Sequence, residues 1–152
     1  MADTQELSVT ALIEASPAEV YRVWIERLAE WWCPRPWMTE VVAIDPRPGG
    51  VFHTILRGPE GEANDLMGVF LDVVPGERIV TTDAFGPGWV PQVPFMVGLW
   101  TFAEEGDHTR YTATARHWNA DTLRQHEAMG FHDGWSQATA QLKALVERGK
   151  AG

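Results

Sequence analysis

The sequence predicts an α+β fold in which a curved antiparallel β-sheet wraps around a long C-terminal α-helix, with a short helical pair after the first strand. Three observations carry this. Apolar and polar residues alternate from Leu7 to Ile13 and give way at once to a helix-start signal. From Met38 to His117 the chain reads as strand and turn. From Asn119 to about Arg148 the chain reads as a helix, with an apolar stripe from Phe131 to Val146 at steps of four and three.

Each element has its own justification. Leu7, Val9, Ala11 and Ile13 alternate with Ser8, Thr10 and Glu14, the period-two pattern of a half-buried strand. Ser16-Pro17-Ala18-Glu19 follows: serine can cap, proline suits the first helical position, and Glu19 sits where a capping box places its acid. Val20, Val23, Trp24, Leu28, Trp31 and Trp32 recur at helical spacing, so one helix or a broken pair buries that face. Pro34 and Pro36 end it, because the residue before a proline is pushed out of the helical region.

Strands are expected at Met38 to Ile44, Val51 to Arg57, Leu66 to Val74, Ile79 to Phe85, Phe95 to Phe102 and Thr109 to His117. Pro46 to Gly50, Gly58 to Gly61, Pro75 to Glu77 and Glu104 to Asp107 are the turns between them. Gly86 to Pro94 is proline- and glycine-rich and reads as a loop with Trp89 at its tip. Strands joined by short turns make an antiparallel meander. Asn119 is the expected cap of one final helix, with Phe131, Trp135, Ala138, Leu142, Leu145 and Val146 as its stripe and Gly149 as its stop. Such a stripe must lie on a partner, and the sheet is the expected one.

Composition narrows the function classes. The 152 residues fit a single domain spanning 1–152, with 45% apolar and 22% charged residues as in folded proteins. Twelve basic against twenty-one acidic residues leave a net charge of −9, which argues against nucleic acid or an anionic membrane as partner. The single cysteine, Cys33, rules out an internal disulfide framework and fits a reducing cytoplasm. Residues 1–10 contain no apolar core of a signal peptide, and the longest nearly apolar run, Phe95 to Trp100, is far short of a membrane span. Eight tryptophans and six phenylalanines are a heavy aromatic load. Either they fill the core, or they wall a pocket for a ligand.

Four phrases carry a family resemblance: Trp31-Trp32-Cys33-Pro34, Arg47-Pro48-Gly49-Gly50-Val51-Phe52, Asp72-Val73-Val74-Pro75-Gly76-Glu77-Arg78 and Met129-Gly130-Phe131-His132-Asp133-Gly134-Trp135. Together with the element order they resemble the SRPBCC (START-like, Bet v 1-like) superfamily. More narrowly, they resemble bacterial single-domain proteins similar to the C-terminal domain of the heat-shock protein 90 ATPase activator. The resemblance runs from about Val9 to Val146. It implies a helix-grip fold with a cavity between sheet and C-terminal helix that takes a small apolar or amphipathic molecule. Within the superfamily such cavities take sterols, lipids and polyketides, and some members are enzymes, so fold alone does not give activity. Cys33 departs from the glycine that relatives commonly carry after the double tryptophan. The eukaryotic activator has an additional N-terminal domain for which this chain has no residues, so a chaperone-activating role is not expected.

Catalytic signatures fail one by one. His126-Glu127-Ala128-Met129-Gly130 begins like a zinc-protease motif, but position 130 is glycine and His132 lies about 240° around an ideal helix from His126. No metal and no cofactor is expected. No Gly-x-Ser-x-Gly elbow occurs, and Arg47-Pro48-Gly49-Gly50 is not followed by a helix that could cradle phosphate. Cys33 lies at a helix end, whereas activated thiolates favour helix starts. Asp72 and Asp83 sit in apolar strands and are expected to face solvent, and the face of His53 and Arg57 is read as the outer one.

Residue parity puts Tyr111, Ala113, Ala115 and His117 on the inner face of the last strand, opposite Arg110, Thr112, Thr114 and Arg116. Small Ala113 and Ala115 face a helix side made small by Gly130, Gly134 and Ala138, which means either close packing or a void. His117 is then either a structural hydrogen-bonding residue or the polar anchor of a ligand. The expected pocket walls are Trp32, Phe52, Phe70, Phe85 and Trp100 from the helical pair and sheet. His117, Met129, Phe131 and Trp135 complete them from the C-terminal side. The leading expectation is non-catalytic binding of a small hydrophobic or amphipathic ligand. The alternatives are a cyclase- or hydrolase-like enzyme using His117 or an inward acid, and a chaperone-interacting module. A homodimer is compatible with the sequence.

Overall fold

The computed structural model describes residues 5–151, with side chains to 149. The chain runs β1 (Gln5–Ile13), α1 (Pro17–Glu26), α2 (Leu28–Trp31), β2 (Met38–Ile44), β3 (Val51–Arg57), β4 (Ala63–Val74) and β5 (Arg78–Thr82). It continues β6 (Phe85–Gly86), β7 (Val90–Pro91), β8 (Met96–Glu105), β9 (His108–His117), α3 (Ala120–Ala128) and α4 (Phe131–Ala151). Seven strands form one antiparallel sheet in the order β1-β9-β8-β5-β4-β3-β2. The predicted α+β class and meander are therefore present, and β1 closes against the last strand from Gln5↔His117 to Ile13↔Thr109.

The start of α1 is capped as its sequence indicates: the Ser16 hydroxyl accepts the Glu19 backbone N–H at 3.2 Å. The reciprocal half of the capping box is missing because Arg22 takes the Glu19 carboxylate, at 2.6 Å. The Gly86–Pro94 segment is more ordered than a plain loop, since Phe85–Gly86 pairs with Val90–Pro91. The Gln92 side-chain amide donates to the carbonyls of Met67 and Asp83, which holds this hairpin against the sheet.

The single final helix is corrected to two. α3 ends at Ala128 and α4 begins at Phe131, with Gly130 between them at φ +95°. That left-handed backbone is open to glycine and costs any other residue about 1–2 kcal/mol, so the glycine read as part of a small stripe is a helix terminator. Gly149 is not the stop, because α4 continues through it to Ala151.

The expected contact of the last helix with the sheet is present: α4 packs along the edge strand β1, and also on α1 and α2. Tryptophans of the helical pair occupy the concave face. Trp24 lies 5.2 Å from Trp100 of β8 and 5.6 Å from Trp31, ring centre to ring centre, and all three are fully buried. Phe52 lies 6.2 Å from Trp24, and Phe70, Ile79 and Tyr111 belong to the same core. Backbone geometry makes room for this plug: a Cβ on Gly98 would come within 2.5 Å of the Trp100 ring. Of the two readings of the aromatic load, the filled core holds over most of the concave face.

Candidate functional site

What remains between sheet and helix is a narrow cleft of about 100 Å³. The turn after α2 supplies Trp32, Cys33 and Pro34, β3 supplies Leu56, and α4 supplies Gly134, Trp135 and Ala138. The expected pocket of several hundred Å³ is absent from this place, because Trp24, Trp31 and Trp100 take the volume. Ala113 and Ala115, fully buried, do not line the cleft, so the small stripe on β9 serves close packing.

The cleft is a built feature. Gln141 of α4 donates its amide to the Trp31 carbonyl at 2.8 Å and to the Cys33 carbonyl at 2.9 Å, which ties the α2–β2 turn to the helix. The Thr39 hydroxyl donates to the Trp32 carbonyl at 2.7 Å from the other side. Trp32 and Trp135 meet in a T-shaped contact at 5.5 Å, and Trp135 stacks on Trp100 at 5.8 Å with the rings nearly parallel. Gly134 keeps one wall low, since a Cβ there would only reach ordinary contact with Pro34 at 3.9 Å. The only heteroatom-bearing aliphatic side chain in the lining is Cys33, and burial pushes its thiol up, away from thiolate chemistry.

Cys33 adopts φ +70°. That left-handed backbone favours glycine, so the cysteine stands there against the local preference.

A second cluster lies at the far end of β9. His117 Nδ1 is 3.1 Å from the Gln5 carbonyl and its Nε2 is 2.9 Å from Nδ1 of His126. Phe95, Phe131 and Trp135 make T-shaped or tilted contacts around the pair, with Phe95 5.0 Å and Phe131 5.1 Å from the His126 ring. Burial first, and the facing His117 second, pull His126 down to about 4. His117 is thus buried on the predicted face, and it spends both nitrogens on protein partners.

The remaining expected wall residues are scattered. Trp100 stands behind the cleft against Trp32 and Trp135, and Phe131 packs on Trp135 at 4.7 Å. Phe52 and Phe70 pack on each other at 5.1 Å within the core. Phe85 leans on Trp89 in the β6–β7 hairpin, and Met129, 68% exposed, ends α3 on the surface. Of the expected walls, only Trp32 and Trp135 line the cleft. Leu56 and Pro34 carry no sequence signal that sets them apart as lining residues, and the spacing around His126 speaks only against a zinc site, not for its contact with His117.

Asp72 faces solvent in an ion pair with Arg78 at 2.6 Å, as expected. Asp83 is half-buried and accepts the backbone N–H groups of Phe95 and Met96, so its carboxylate has a structural role. His53 and Arg57 pair with Asp65 and Glu40 on the outer face. A larger open depression, about 540 Å³, lies where α1 begins beside the β8–β9 turn, and Glu19, Glu104 and Asp107 make it acidic. Among the described residues no three His, Cys, Asp or Glu side chains gather as metal ligands, and no helix is long and apolar enough to cross a membrane.

A seven-stranded antiparallel sheet with a C-terminal helix laid against its first strand and helical pair defines the helix-grip class of the SRPBCC superfamily. Within it, the family model described as activator of Hsp90 ATPase homolog 1-like protein matches residues 14–147, and the chain belongs to that family. A crystal structure of a Nitrosomonas europaea protein is similar at 33% identity and TM-score 0.92, over 99% of this chain and 100% of that one. A Mycobacterium smegmatis protein is similar at 26% identity and TM-score 0.79, over 95% of both chains. An AHSA1 protein from Silicibacter pomeroyi shares the fold at 16% identity and TM-score 0.70, over 93% of this chain and 97% of that one. None of the proteins of curated function matches the chain.

Proposed function

We propose that the protein binds a small apolar or amphipathic molecule without chemical turnover, seating one apolar group of it between Trp32 and Trp135. The observation that carries this reading is the cleft itself: aromatic at Trp32 and Trp135, otherwise lined by Cys33, Pro34, Leu56 and Ala138, with no side chain at Gly134. A volume of about 100 Å³ takes a small ring or a short branched chain rather than a whole lipid. The rest of such a ligand lies outside, which favours an amphipathic molecule. Acid–base catalysis needs two polar groups converging on one substrate. The cleft offers only a thiol held protonated, and the histidine pair is turned to its own partners.

The test is titration of decanoic acid while tryptophan emission is followed, in the wild type and in Gly134→Leu. A leucine at 134 fills the cleft. Saturable binding in the wild type that is lost in the variant is expected. Equal binding in both, or none in either, overturns the proposal.

A chaperone-interacting role is the second reading, and one observation favours it: Trp89, Val90 and Val93 are exposed together on and beside the β6–β7 hairpin, Val93 to 92%. Exposed apolar clusters mark interaction surfaces. Replacing Val90 and Val93 by serine should abolish any effect of the protein on Hsp90 ATPase turnover if this reading holds.

A further inference from the structure

We infer that His117 and His126 form a proton-operated latch that holds α3 against the sheet and releases it when both imidazoles are protonated. The latch needs no ligand in the cleft, although Trp135 borders both.

α3 is held in an unusual way. Its one buried side chain is His126, with Leu123 half-buried against the core beside it. At its ends stand the Asn119 cap, which accepts the Thr122 N–H at 2.9 Å, and the left-handed Gly130 with open space around it. Both are places where a helix can pivot. The residue that docks α3 is therefore the one residue type whose charge changes near neutral pH.

Proton arithmetic at the pair is restrictive. The Gln5 carbonyl can only accept, so His117 Nδ1 carries a hydrogen and donates it. With both rings neutral, His117 Nε2 is bare and accepts Nδ1–H of His126. One added proton is tolerated: it sits on His117 Nε2, which then donates to a bare His126 Nδ1, and the His126 hydrogen is on Nε2. A second added proton is not. His117 Nε2–H and His126 Nδ1–H would then face each other across 2.9 Å, with two positive charges enclosed by Phe95, Phe131 and Trp135. The rings must part, and α3 goes with His126.

Among the described residues no neighbouring charge relieves this. On β1 and β9, Glu6 and Arg116 pair with each other. On α3, Asp121 pairs with Arg124, and Glu127 reaches toward His132 of α4. Asp133 of α4 is exposed, and Asp83 is spent on the backbone of Phe95 and Met96. The low proton affinity of His126, caused first by burial and then by His117, agrees with this exclusion.

Amide hydrogen exchange across pH tests the latch, with intrinsic rates divided out. Protection of the Leu123–Met129 amides should fall about tenfold per pH unit from 6.5 toward 4, one proton being taken up on opening, while β8 and β9 stay protected. His126→Gln, which can still bond His117 and does not titrate, should remove that slope. If this variant does not fold, NMR titration of His126 in the wild type decides. Charging of His126 at an ordinary histidine pKa with α3 still protected overturns the inference, as does a slope unchanged in the variant.

Discussion

At Cys33 a single backbone angle competes with a single side chain. Its φ of +70° strains any residue with a Cβ, yet its thiol is buried and receives the Thr39 hydroxyl at 3.3 Å. Cys33→Gly should relieve strain of about 1–2 kcal/mol and lose packing of similar size, leaving stability within about 1 kcal/mol of the wild type. Cys33→Val keeps an apolar side chain but adds a β-branch where left-handed geometry tolerates it least, so it should cost about 2 kcal/mol or more. Urea midpoints of the two variants check the order; a valine variant as stable as the glycine one would show that the turn relaxes. His117 shows the other limit of residue-scale reading. Parity along β9 placed it inside, but its partner His126 arrives from a different element, and no local pattern announces a contact between them.

At the scale of elements, the sequence was legible wherever periodicity or capping acts locally. β1, the start of α1 and the meander from β2 to β9 all follow from alternation, Ser16 and the turn residues. The break at Gly130 is not legible in the apolar stripe, because the stripe begins only at Phe131 and α3 before it has His126 as its buried side chain. The cleft was misjudged for a deeper reason. A tryptophan that plugs a concave sheet and one that walls a cavity obey the same helical spacing, and only the packing of α1 and α2 onto β8 separates them. One side chain joins those elements. Gln141 spans from α4 to the carbonyls of Trp31 and Cys33, half-buried, so Gln141→Leu leaves two carbonyls without their donor. A loss of about 1–3 kcal/mol is expected, with faster exchange at the α2–β2 turn. Thermal melts and exchange mapping read both, and a leucine variant with an unaltered turn would assign the tie to Thr39 alone.

Over the whole molecule, stability should follow pH in two windows. His126 binds its proton less readily when folded, at about 4, than the ordinary 6.5. The folded state thus holds fewer protons in that interval, and stability is full above 6.5 and falls as pH drops toward 4, by up to about 3 kcal/mol. Glu19, Glu30 and Glu147 are held below the ordinary carboxylate value, the first two chiefly by Arg22 and Arg27 and Glu147 by Lys143 against the pull of burial. Their contribution, small at the surface, is lost only at lower pH as they protonate. Melting temperatures from pH 8 to 3 should therefore begin to fall near 6.5. In His126→Gln the fall should start only in the carboxylate range, and an identical curve would remove the histidine from the account.

The pairing of β1 with β9 also fixes a schedule. Residues that meet across this ladder, Gln5 with His117 at one end, are made at nearly opposite times during translation. At typical elongation speeds the first strand waits roughly 6–20 s for its partner to be made. Until then Leu7 and Ile13, fully or nearly fully buried at the end, have nothing to lie on. The α4 helix that covers β1 emerges later still. From its own synthesis until β9 is made, β1 is thus a strand without its partner. Meanwhile β2 to β8 can pair with sequence neighbours as they appear, leaving the first strand to be stitched in last, at the far edge of a sheet already built.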